Sequence, residues 1–458
     1  MRIVPDKNIS RSLITIVLSV VCVFTGNVPN AISAENPGKI SCGENRLITM
    51  SDGINRVLKD GRLIKIEMSD EDMSFADTIV ALSPLLPHVR ANMSQTYNRY
   101  VPEMLFGSQA VAMGEKEPFA GGVSIYQTLF DFGKSISNYR AATEILHAKK
   151  ATVESVKRAV TLEFIMAYLD VLESEKMITV AEKETESITA YLKDMTSMYE
   201  QGVIVENDLL AAKVKLSDAE QRLIAVRNHR AVAAAKINTL LTLSLVDEIA
   251  VRDIKSEIPA ISDIKDAWQN AEKLRPEIKF YNSQIKSSNL RENAKAVQNL
   301  PTIFTEGGYS YGENRYMVHQ HTTYWMFGAK MDLYDGGLSV GDVSKERAFQ
   351  RQLCEQKNKL IDDMRFEIKA SYVGLQDAIK KVAVTKDALA QSEENVRFYR
   401  VKYNNGAATS TDVLEAIALQ TKAQANYYTA DYEAKRYYAK LMYSTGADMV
   451  SFYNETEK

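Results

Sequence analysis

The feature that most restricts the fold is an internal repeat whose two copies lie 204 residues apart. Residues 129–133 read Leu-Phe-Asp-Phe-Gly, and residues 333–337 read Leu-Tyr-Asp-Gly-Gly. The same spacing relates four pairs of identical residues: Tyr168 and Tyr372, Tyr199 and Tyr403, Gly202 and Gly406, Asp208 and Asp412. Two long helices of similar composition could align by chance, but the matched turns and glycines favour a tandem duplication. The sequence therefore predicts one structural unit at 35–250 and a second at 251–446.

Each copy contains a very long stretch without helix-breaking residues. Residues 134–201 lack proline and glycine, and residues 338–403 lack proline and contain only Gly341 and Gly374. A helix of this length extends roughly 100 Å, which indicates a coiled coil or helical tube. Apolar residues recur at the three-and-four spacing of heptads. They are Leu162, Ile165, Leu169 and Leu172 in the first copy, and Ile368, Tyr372, Leu375, Ile379 and Val382 in the second.

Both long stretches end at a glycine, Gly202 or Gly406, as helices often do. We expect a short loop and a returning helix from about Asp208 and Asp412, so that each copy forms a helical hairpin with a tip. Further helices are predicted at about 47–83, interrupted by the glycines at 53 and 61, and at 264–298. The last helix is predicted to end near Ser444, and a polar tail to occupy 447–458.

Two candidate strands precede each long helical stretch. Their residues alternate in polarity and are rich in aromatics, which favours strands; they lie at about 88–98, 122–127, 302–312 and 324–329. Four strands cannot enclose a lumen, since about eight are needed, and open strand edges do not occur in lipid. Membrane strands would therefore require an oligomer, in which three subunits supply twelve strands. A soluble sheet is the alternative.

The N-terminus has the pattern of a secretory signal peptide. Lys7 and Arg11 precede an apolar run at 13–24, and small residues follow at 31–34, so a signal is predicted at 1–34. The apolar run is shorter than the roughly 20 residues that a spanning helix needs. Without apolar helices, a membrane-spanning chain would have to form a closed β-barrel.

Composition narrows the class of protein. A formal net charge of −3 argues against a nucleic-acid partner. Three cysteines form neither a disulfide framework nor a zinc pattern, and lipidation of Cys42 is the weaker alternative for that residue. The sequence contains no phosphate-binding loop, nucleophile elbow or cluster of metal ligands. We therefore expect no enzymatic activity, no cofactor and no metal.

Three segments resemble the TolC family of outer-membrane efflux and secretion channels. They are residues 123–133, residues 328–337 and residues 403–416, the last reading YNNGAATSTDVLEA. The resemblance covers nearly all of the mature chain. It implies a mainly α-helical subunit with long antiparallel coiled-coil helices and four strands. It also implies a homotrimer with a twelve-stranded barrel in outer-membrane lipid and a helical tube across the periplasm, which meets a periplasmic adaptor and an inner-membrane pump.

The resemblance also implies functional residues at the hairpin tips. Asp412 and Glu415 match acidic positions at the periplasmic entrance of the family, Asp208 matches an acidic partner on the first tip, and Tyr403 matches a tyrosine that holds the tip closed. The tip glycines, Gly202 and Gly406, match the positions where the family contacts the adaptor. Asp412 and Glu415 also have the spacing of an N-cap and its partner, so capping is the structural alternative.

Two departures concern the tips. Ala408 stands where the family often has an arginine that bonds across to the other hairpin, which puts the closing network in doubt. Ala211 stands in the first copy where Glu415 stands in the second, so only the second tip carries an Asp-x-x-Glu pair. If the channel has a selective gate, this asymmetry places it on the second hairpin.

The remaining candidates receive structural interpretations or open alternatives. His319 and His321 lie one residue apart without a third metal ligand nearby. Trp325 and Tyr324 fit either an interfacial aromatic belt or ordinary packing. The aspartates of the strand-to-helix turns, at 131 and 335, are interpreted as structural. Two functions remain: a passive outer-membrane conduit for efflux or secretion, or a periplasmic coiled-coil scaffold or adhesin stalk.

Overall fold

The computed structural model describes residues 46–202, 204–254, 259 and 263–456. The predicted signal peptide at 1–34, Cys22 and Cys42 lie outside the described residues. The remaining cysteine, Cys354, is free and exposed on a helix. Within the described part of the chain, no helix combines the length and apolar character that a membrane crossing requires.

Four long helices form two helical hairpins, as predicted. In the first hairpin, α3 (Lys134–Glu200) is followed by α4 (Glu206–Leu240), and in the second, α7 (Leu338–Asn404) is followed by α8 (Ser410–Thr445). The helices α3 and α7 both contain 67 residues, which corresponds to roughly 100 Å each. The first helix of one hairpin packs along the second helix of the other, since α3 contacts α8 as well as α4.

The 204-residue offset recurs in the backbone conformations. Residues with positive φ occur in pairs at this spacing, one member in each half of the chain. The pairs are Phe132 and Gly336, Gly133 and Gly337, Gly202 and Gly406, and Thr242 and Gly446. Among the described residues only Gly107 has a positive φ without such a counterpart. The chain therefore changes direction at equivalent points in its two halves.

Equivalent aspartates begin the two long helices. Asp131 accepts hydrogen bonds from the backbone N–H groups of Gly133 at 3.2 Å and Ser135 at 2.8 Å. Asp335 likewise accepts from the backbone N–H groups of Gly337 at 3.0 Å and Ser339 at 2.8 Å. It also accepts a hydrogen bond from the side chain of Asn299 at 2.8 Å. These carboxylates satisfy N–H groups that the first helical turn leaves unpaired. Their predicted structural role is confirmed.

A four-stranded antiparallel sheet joins the two halves. Its order is β2-β5-β7-β8, formed by His88–Gln95, Phe119–Phe130, Thr302–Gly312 and His321–Lys330. The four predicted strands are therefore confirmed. The pairing of β5 with β7 connects strands from different halves, so the two predicted hairpins form one sheet.

Four shorter strands were not predicted. The loop between β2 and β5 carries a small hairpin of β3 (Glu103–Phe106) and β4 (Gln109–Ala112). A parallel pair, β1 (Arg46–Ile48) and β6 (Ile249–Val251), lies beside α3. These strands of three or four residues are too short to show an alternating pattern.

The largest hydrophobic core surrounds the middle of α3. Ile165, Leu169 and Leu172, which the heptad spacing singled out, are buried there, and Leu162 packs against them. The hydroxyl of the fully buried Tyr168 donates to the carbonyl of Ile48 at 3.0 Å. The first half of the predicted coiled-coil seam is therefore confirmed.

The seam of α7 differs from the predicted one. Ile368 and Leu375 are buried, but Ile379 is 42% exposed and Tyr372 is only partly buried. The buried heptad residues of α7 are Met364, Ile368, Ser371, Leu375 and Ala378. At one point of this contact α7 needs a glycine: a Cβ on Gly374 would lie 2.3 Å from the ring of Tyr437 in α8.

The helices outside the hairpins differ from the predicted ones at two points. The predicted interruption at Gly53 is wrong, because Gly53 lies inside a continuous helix, and the break at Pro276 was not predicted. The segment at 47–83 contains α1 (Met50–Asp60) and α2 (Arg62–Leu82), separated at Gly61, followed by a single 3-10 turn at Ser83–Leu85. The segment at 264–298 contains α5 (Ile264–Leu274) and α6 (Pro276–Ala296). Proline at the first position of α6 explains this break, because it cannot continue the preceding helix.

The predicted polar tail at 447–458 is wrong for its described residues. They contain α9 (Met449–Thr456), whose Met449 and Tyr453 are buried in the largest core. These two residues are four positions apart and therefore lie on one face of a helix. The C-terminal segment thus closes the core around α3.

Candidate functional site at the hairpin tips

The two hairpin tips lie together at one end of the molecule. A separate hydrophobic cluster joins them, with residues from all four long helices. It contains Ile188, Tyr191, Met195, Leu209, Ala212, Ala219, Val396, Val413, Leu414, Ala416 and Ile417. The structure therefore brings the predicted tip residues of both repeats to one place.

Glycines end both outgoing helices at the tips. Gly202 and Gly406 have φ values of 70° and 68°, and each donates its N–H to the carbonyl of a tyrosine three residues earlier, at 2.9 Å. A side chain is disfavoured at such φ values, so the predicted capping role is confirmed. Both glycines are exposed, and no atom lies within 4 Å of a Cβ built on either.

Asp412 belongs to a capping box at the start of α8. The N-cap is Thr409, whose hydroxyl accepts a hydrogen bond from the N–H of Asp412. In return, one carboxylate oxygen of Asp412 accepts from the N–H of Thr409 at 2.8 Å and from the Thr409 hydroxyl at 2.7 Å. The predicted pairing of Asp412 with Glu415 is therefore wrong. Since Thr409 is the N-cap, the third helical position is Asp412, and Glu415 lies one turn further on, exposed.

The charge of Asp412 is stabilised by its surroundings. The N–H and then the hydroxyl of Thr409, together with the nearby charge of Lys402, hold the pKa of Asp412 below its ordinary value of 3.8. The carboxylate is ionised at neutral pH and keeps its second oxygen outside the capping box.

The first tip also carries acidic residues, although it lacks the capping box. Asp208 lies in the first turn of α4, half-buried, and its N–H donates to the carbonyl of Val205 at 3.1 Å. Glu206, also in this turn and exposed, was missed by the sequence analysis, because its position at the helix start is clear only from the structure. Asp412, Glu415 and Glu200, the exposed last residue of α3, also lie at the tips, which are therefore rich in carboxylates.

Aromatic residues connect the two tips. The Tyr403 hydroxyl donates to the Met198 sulfur at 3.4 Å, and its ring lies edge-on to Tyr191 with centroids 5.4 Å apart. Tyr191 in turn donates to the carbonyl of Ser410 at 3.4 Å. Burial, and then the neighbouring Tyr403, raise the pKa of Tyr191 above its usual range. Together with the hydrophobic cluster, these tyrosines connect the two hairpins.

The sheet at the opposite end has two different faces. By register, one face carries the three formally charged residues of the four strands, Arg90, Glu306 and Lys330; we call it the polar face. The other, here called the apolar face, carries no charged residue. Its large apolar and aromatic side chains include Val89, Met93, Phe119, Val123, Ile125, Ile303, Tyr309, Tyr311, Trp325 and Phe327. The sheet is therefore strongly amphipathic.

Trp325 and Tyr324 lie on opposite faces. Trp325 is 66% exposed on the apolar face and covers Gly307, whereas Tyr324 covers Gly308 on the polar face and donates to Glu306 at 2.9 Å. An aromatic belt that includes both residues is therefore excluded, because neighbouring residues of a strand point in opposite directions.

Metal-binding geometry is not found in the described part of the chain. No group of three or more His, Cys, Asp or Glu side chains lies there in a position to hold a metal ion. The rings of His319 and His321 are 6.5 Å apart, and His321 stacks on Tyr309.

Comparisons with known proteins agree with this architecture. A family model described as "Outer membrane efflux protein" matches twice, at residues 69–242 and 267–447. Nodulation protein T of Rhizobium leguminosarum bv. trifolii is 25% identical over 336 residues, which is 70% of this chain and 70% of that relative. Outer membrane protein TolC of Escherichia coli (strain K12) is 20% identical over 414 residues, which is 84% of this chain and 80% of that protein.

Solved structures share the fold. The Campylobacter jejuni CmeC outer membrane channel superimposes with a TM-score of 0.76 at 14% identity, covering 94% of this chain and 97% of that structure. The two family matches together span most of the sequence, one in each half. The chain therefore belongs to the outer membrane efflux protein family, the TolC family of outer-membrane channels.

Proposed function

We propose that this chain is one of three identical subunits of a passive conduit, through which an efflux or type I secretion system passes its cargo across the periplasm and outer membrane. The observation that carries the proposal is the amphipathic sheet. Two helical hairpins continue from one end of its strands and extend roughly 100 Å to acidic tips. An uncharged face fits lipid, and a charged face fits an aqueous lumen.

The sheet edges support the trimer. Among the described residues, β2 and β8 each pair with one neighbouring strand only, so each leaves a row of backbone groups unpaired. Lipid cannot satisfy such groups. Pairing β2 of one subunit with β8 of the next removes both edges, and three subunits then supply the twelve strands of a closed barrel.

The tip residues support a cation-attracting gate. Three copies of Asp412, Glu415 and Asp208 would form rings of carboxylates where the conduit is narrowest, and such rings attract cations. Capping and gating are compatible in Asp412, because one oxygen serves the capping box while the group stays ionised. Tyr403 would keep the tip closed through its contacts with Met198 and Tyr191.

The partners follow from the position of the tips. Gly202 and Gly406 are exposed at the end furthest from the sheet, where a periplasmic adaptor and an inner-membrane pump would meet the conduit. No energy-converting site is required in this chain, since the pump supplies the energy. The relatives are outer-membrane channel proteins rather than enzymes.

Planar-bilayer recording tests this function. We expect the purified full-length protein to conduct with a preference for cations, and Asp412→Ala to reduce that preference. The matched control is Asp362→Ala, which removes an exposed carboxylate from α7 roughly 60 Å from the tip. Because the pKa of Asp412 is lowered, its contribution should persist from pH 7 to pH 5 and disappear only below about 3.8.

The outcomes separate the alternatives. Well-folded trimers that never conduct would contradict the conduit and favour a scaffold or stalk. Conductance with a cation preference that Asp412→Ala and Asp362→Ala change equally would retain the conduit but remove the gate from the second tip.

A further inference from the structure

The charges of the sheet are concentrated at one end of its polar face. Arg90 is the third residue of β2, Glu306 the fifth of β7, and Lys330 the last of β8. All three positions lie near the strand ends that connect to helices, and the distal halves of the four strands carry no formal charge. We call these three residues the charged belt.

The two cations of the charged belt have no partner. The side chains of Arg90 and Lys330 make no ion pair or hydrogen bond with any described residue, and both are exposed. Across the ladder, Arg90 pairs with Ser124 rather than with a carboxylate. Glu306, the one acid of the belt, lies beyond β5 and accepts a hydrogen bond from Tyr324 at 2.9 Å. No contact that stabilises the fold therefore explains why these two positions are cationic.

The surroundings of Arg90 are rich in hydrogen-bond donors. A shallow depression of about 470 Å³ is lined by His88, Arg90, Ser124, Tyr126 and Glu306. The guanidinium and both hydroxyls can donate to an anion. His88 is held at the rim by a 3.0 Å contact between its Nε2 and the carbonyl of Ser83. An arginine beside hydroxyl groups is a chemistry that recognises carboxylate or phosphate.

A neighbouring subunit would not neutralise these cations. In the proposed trimer β8 of the next subunit lies beside β2, and the only charged residue of β8 on the polar face is Lys330. Each seam between subunits would therefore join Arg90 to Lys330 without a carboxylate from either strand. Three seams would make the sheet end of the lumen cationic, whereas the tips are acidic.

We propose that the charged belt is an anion-binding site in the lumen, in which Arg90 and Lys330 receive carboxylate or phosphate groups of cargo before it leaves the conduit. This inference rests on the proposed function, because it requires the polar face to line a water-filled lumen. The belt has a net positive charge, because each subunit supplies two cations and one carboxylate, Glu306, and a confined site of net positive charge concentrates anions about tenfold or more. The two ends of the conduit would then select for opposite charges.

The test is bilayer recording of the full-length protein at low salt, where charges are least screened. Inorganic triphosphate, added on the sheet side, should block the wild-type current. In the Arg90→Gln/Lys330→Gln double variant we expect the blocking concentration to rise by about tenfold and the reversal potential in a KCl gradient to shift toward stronger cation preference. Arg90→Lys should retain most of the block.

The matched control is Arg99→Gln. Arg99 is exposed in the loop after β2, outside the four-stranded sheet, and its guanidinium lies over the ring of Tyr100. Arg99→Gln removes one positive charge, as each single substitution in the double variant does, and block and reversal potential should stay at wild-type values. A double variant that conducts with unchanged block and unchanged reversal potential overturns the anion site and leaves the conduit intact. A wild-type protein that never conducts overturns both.

Discussion

Thr242 follows the last helix of the first hairpin with a φ of 54°, a conformation that glycine provides at the equivalent Gly446. A residue with a Cβ is strained there by roughly 1–2 kcal/mol. We expect Thr242→Gly to stabilise the protein by about 0.5–1 kcal/mol, since glycine loses part of that gain through its freedom in the unfolded chain. A higher denaturant midpoint of the far-UV circular dichroism signal would be the measurement.

The reverse change in the second repeat should be harmful. Gly446 has a φ of 81°, and its added Cβ would lie 2.9 Å from the Cβ of Leu274. Gly446→Ala is therefore expected to destabilise by about 1–3 kcal/mol. Gly341→Ala is the control, because Gly341 lies inside α7 with open space around it and alanine favours helices. Equal effects of the two substitutions would contradict the role of positive φ.

At the scale of elements, one buried arginine connects three helices. Arg275, at the junction of α5 and α6, pairs with Glu367 of α7 at 2.7 Å and with Glu277 of α6 at 3.1 Å. Its guanidinium also lies over the ring of Tyr443 from α8, at 5.4 Å. Burial would raise the pKa of Glu277, but the hydrogen bonds and charge of Arg275 hold it below the usual range.

Removal of this arginine leaves the partly buried Glu277 without its cationic partner, with the 3.0 Å hydrogen bond from Ser155, its own backbone N–H and more distant charges left to stabilise its carboxylate. Arg275→Met is expected to destabilise the protein by about 3–5 kcal/mol at neutral pH, and Arg275→Met/Glu277→Met to recover part of the loss. Without Arg275, burial places the pKa of Glu277 above its unfolded value, so the penalty grows as pH rises through that value and shrinks as pH falls to about 4. Denaturant midpoints at pH 4 and pH 7 measure this difference.

An exposed ion pair provides the comparison. Arg397 pairs with Glu394 on the surface of α7, where both side chains are largely exposed. Arg397→Met should leave the midpoint unchanged at either pH, because exposed pairs contribute little. If Arg275→Met behaved in the same way, the junction would not depend on the buried network.

At the scale of the whole molecule, the two faces of the sheet make opposite predictions for adjacent residues. Phe327 and Met326 are both exposed apolar residues of β8, but Phe327 lies on the apolar face and Met326 on the polar face beside Glu306. A soluble sheet would accept a lysine equally at either position. In a membrane channel, Phe327→Lys should cost about 2–4 kcal/mol, whereas Met326→Lys should be tolerated.

The yield of folded trimer in the outer-membrane fraction measures this difference. Each variant is the control for the other, since the strand and the introduced charge are the same, the positions are adjacent, and the face of the sheet differs. Phe327→Lys trimers that accumulate at wild-type levels would contradict lipid contact on the apolar face.

The features of this protein that depend on short-range physics follow from its sequence alone. Both α3 and α7 lack proline, and α3 also lacks glycine, which permits their length. The turns at Asp131 and Asp335 are closed by hydrogen bonds to residues two and four positions away. Glycines mark the tips because positive φ is a property of single residues. The alternating polarity of β7 and β8 predicted these strands, because alternation is also a local pattern.

Which side of each helix packs against a neighbour depends instead on the tertiary structure. Heptad spacing alone does not reveal that Ser371 and Ala378 of α7 are buried while Ile379 is exposed, because burial depends on where the neighbouring helices lie. The contact between Tyr191 and Tyr403 joins residues from different repeats, and the burial of Tyr453 requires a core assembled around α3. Local periodicity fixes how an element forms, whereas the free energy of burial depends on the partner that covers it.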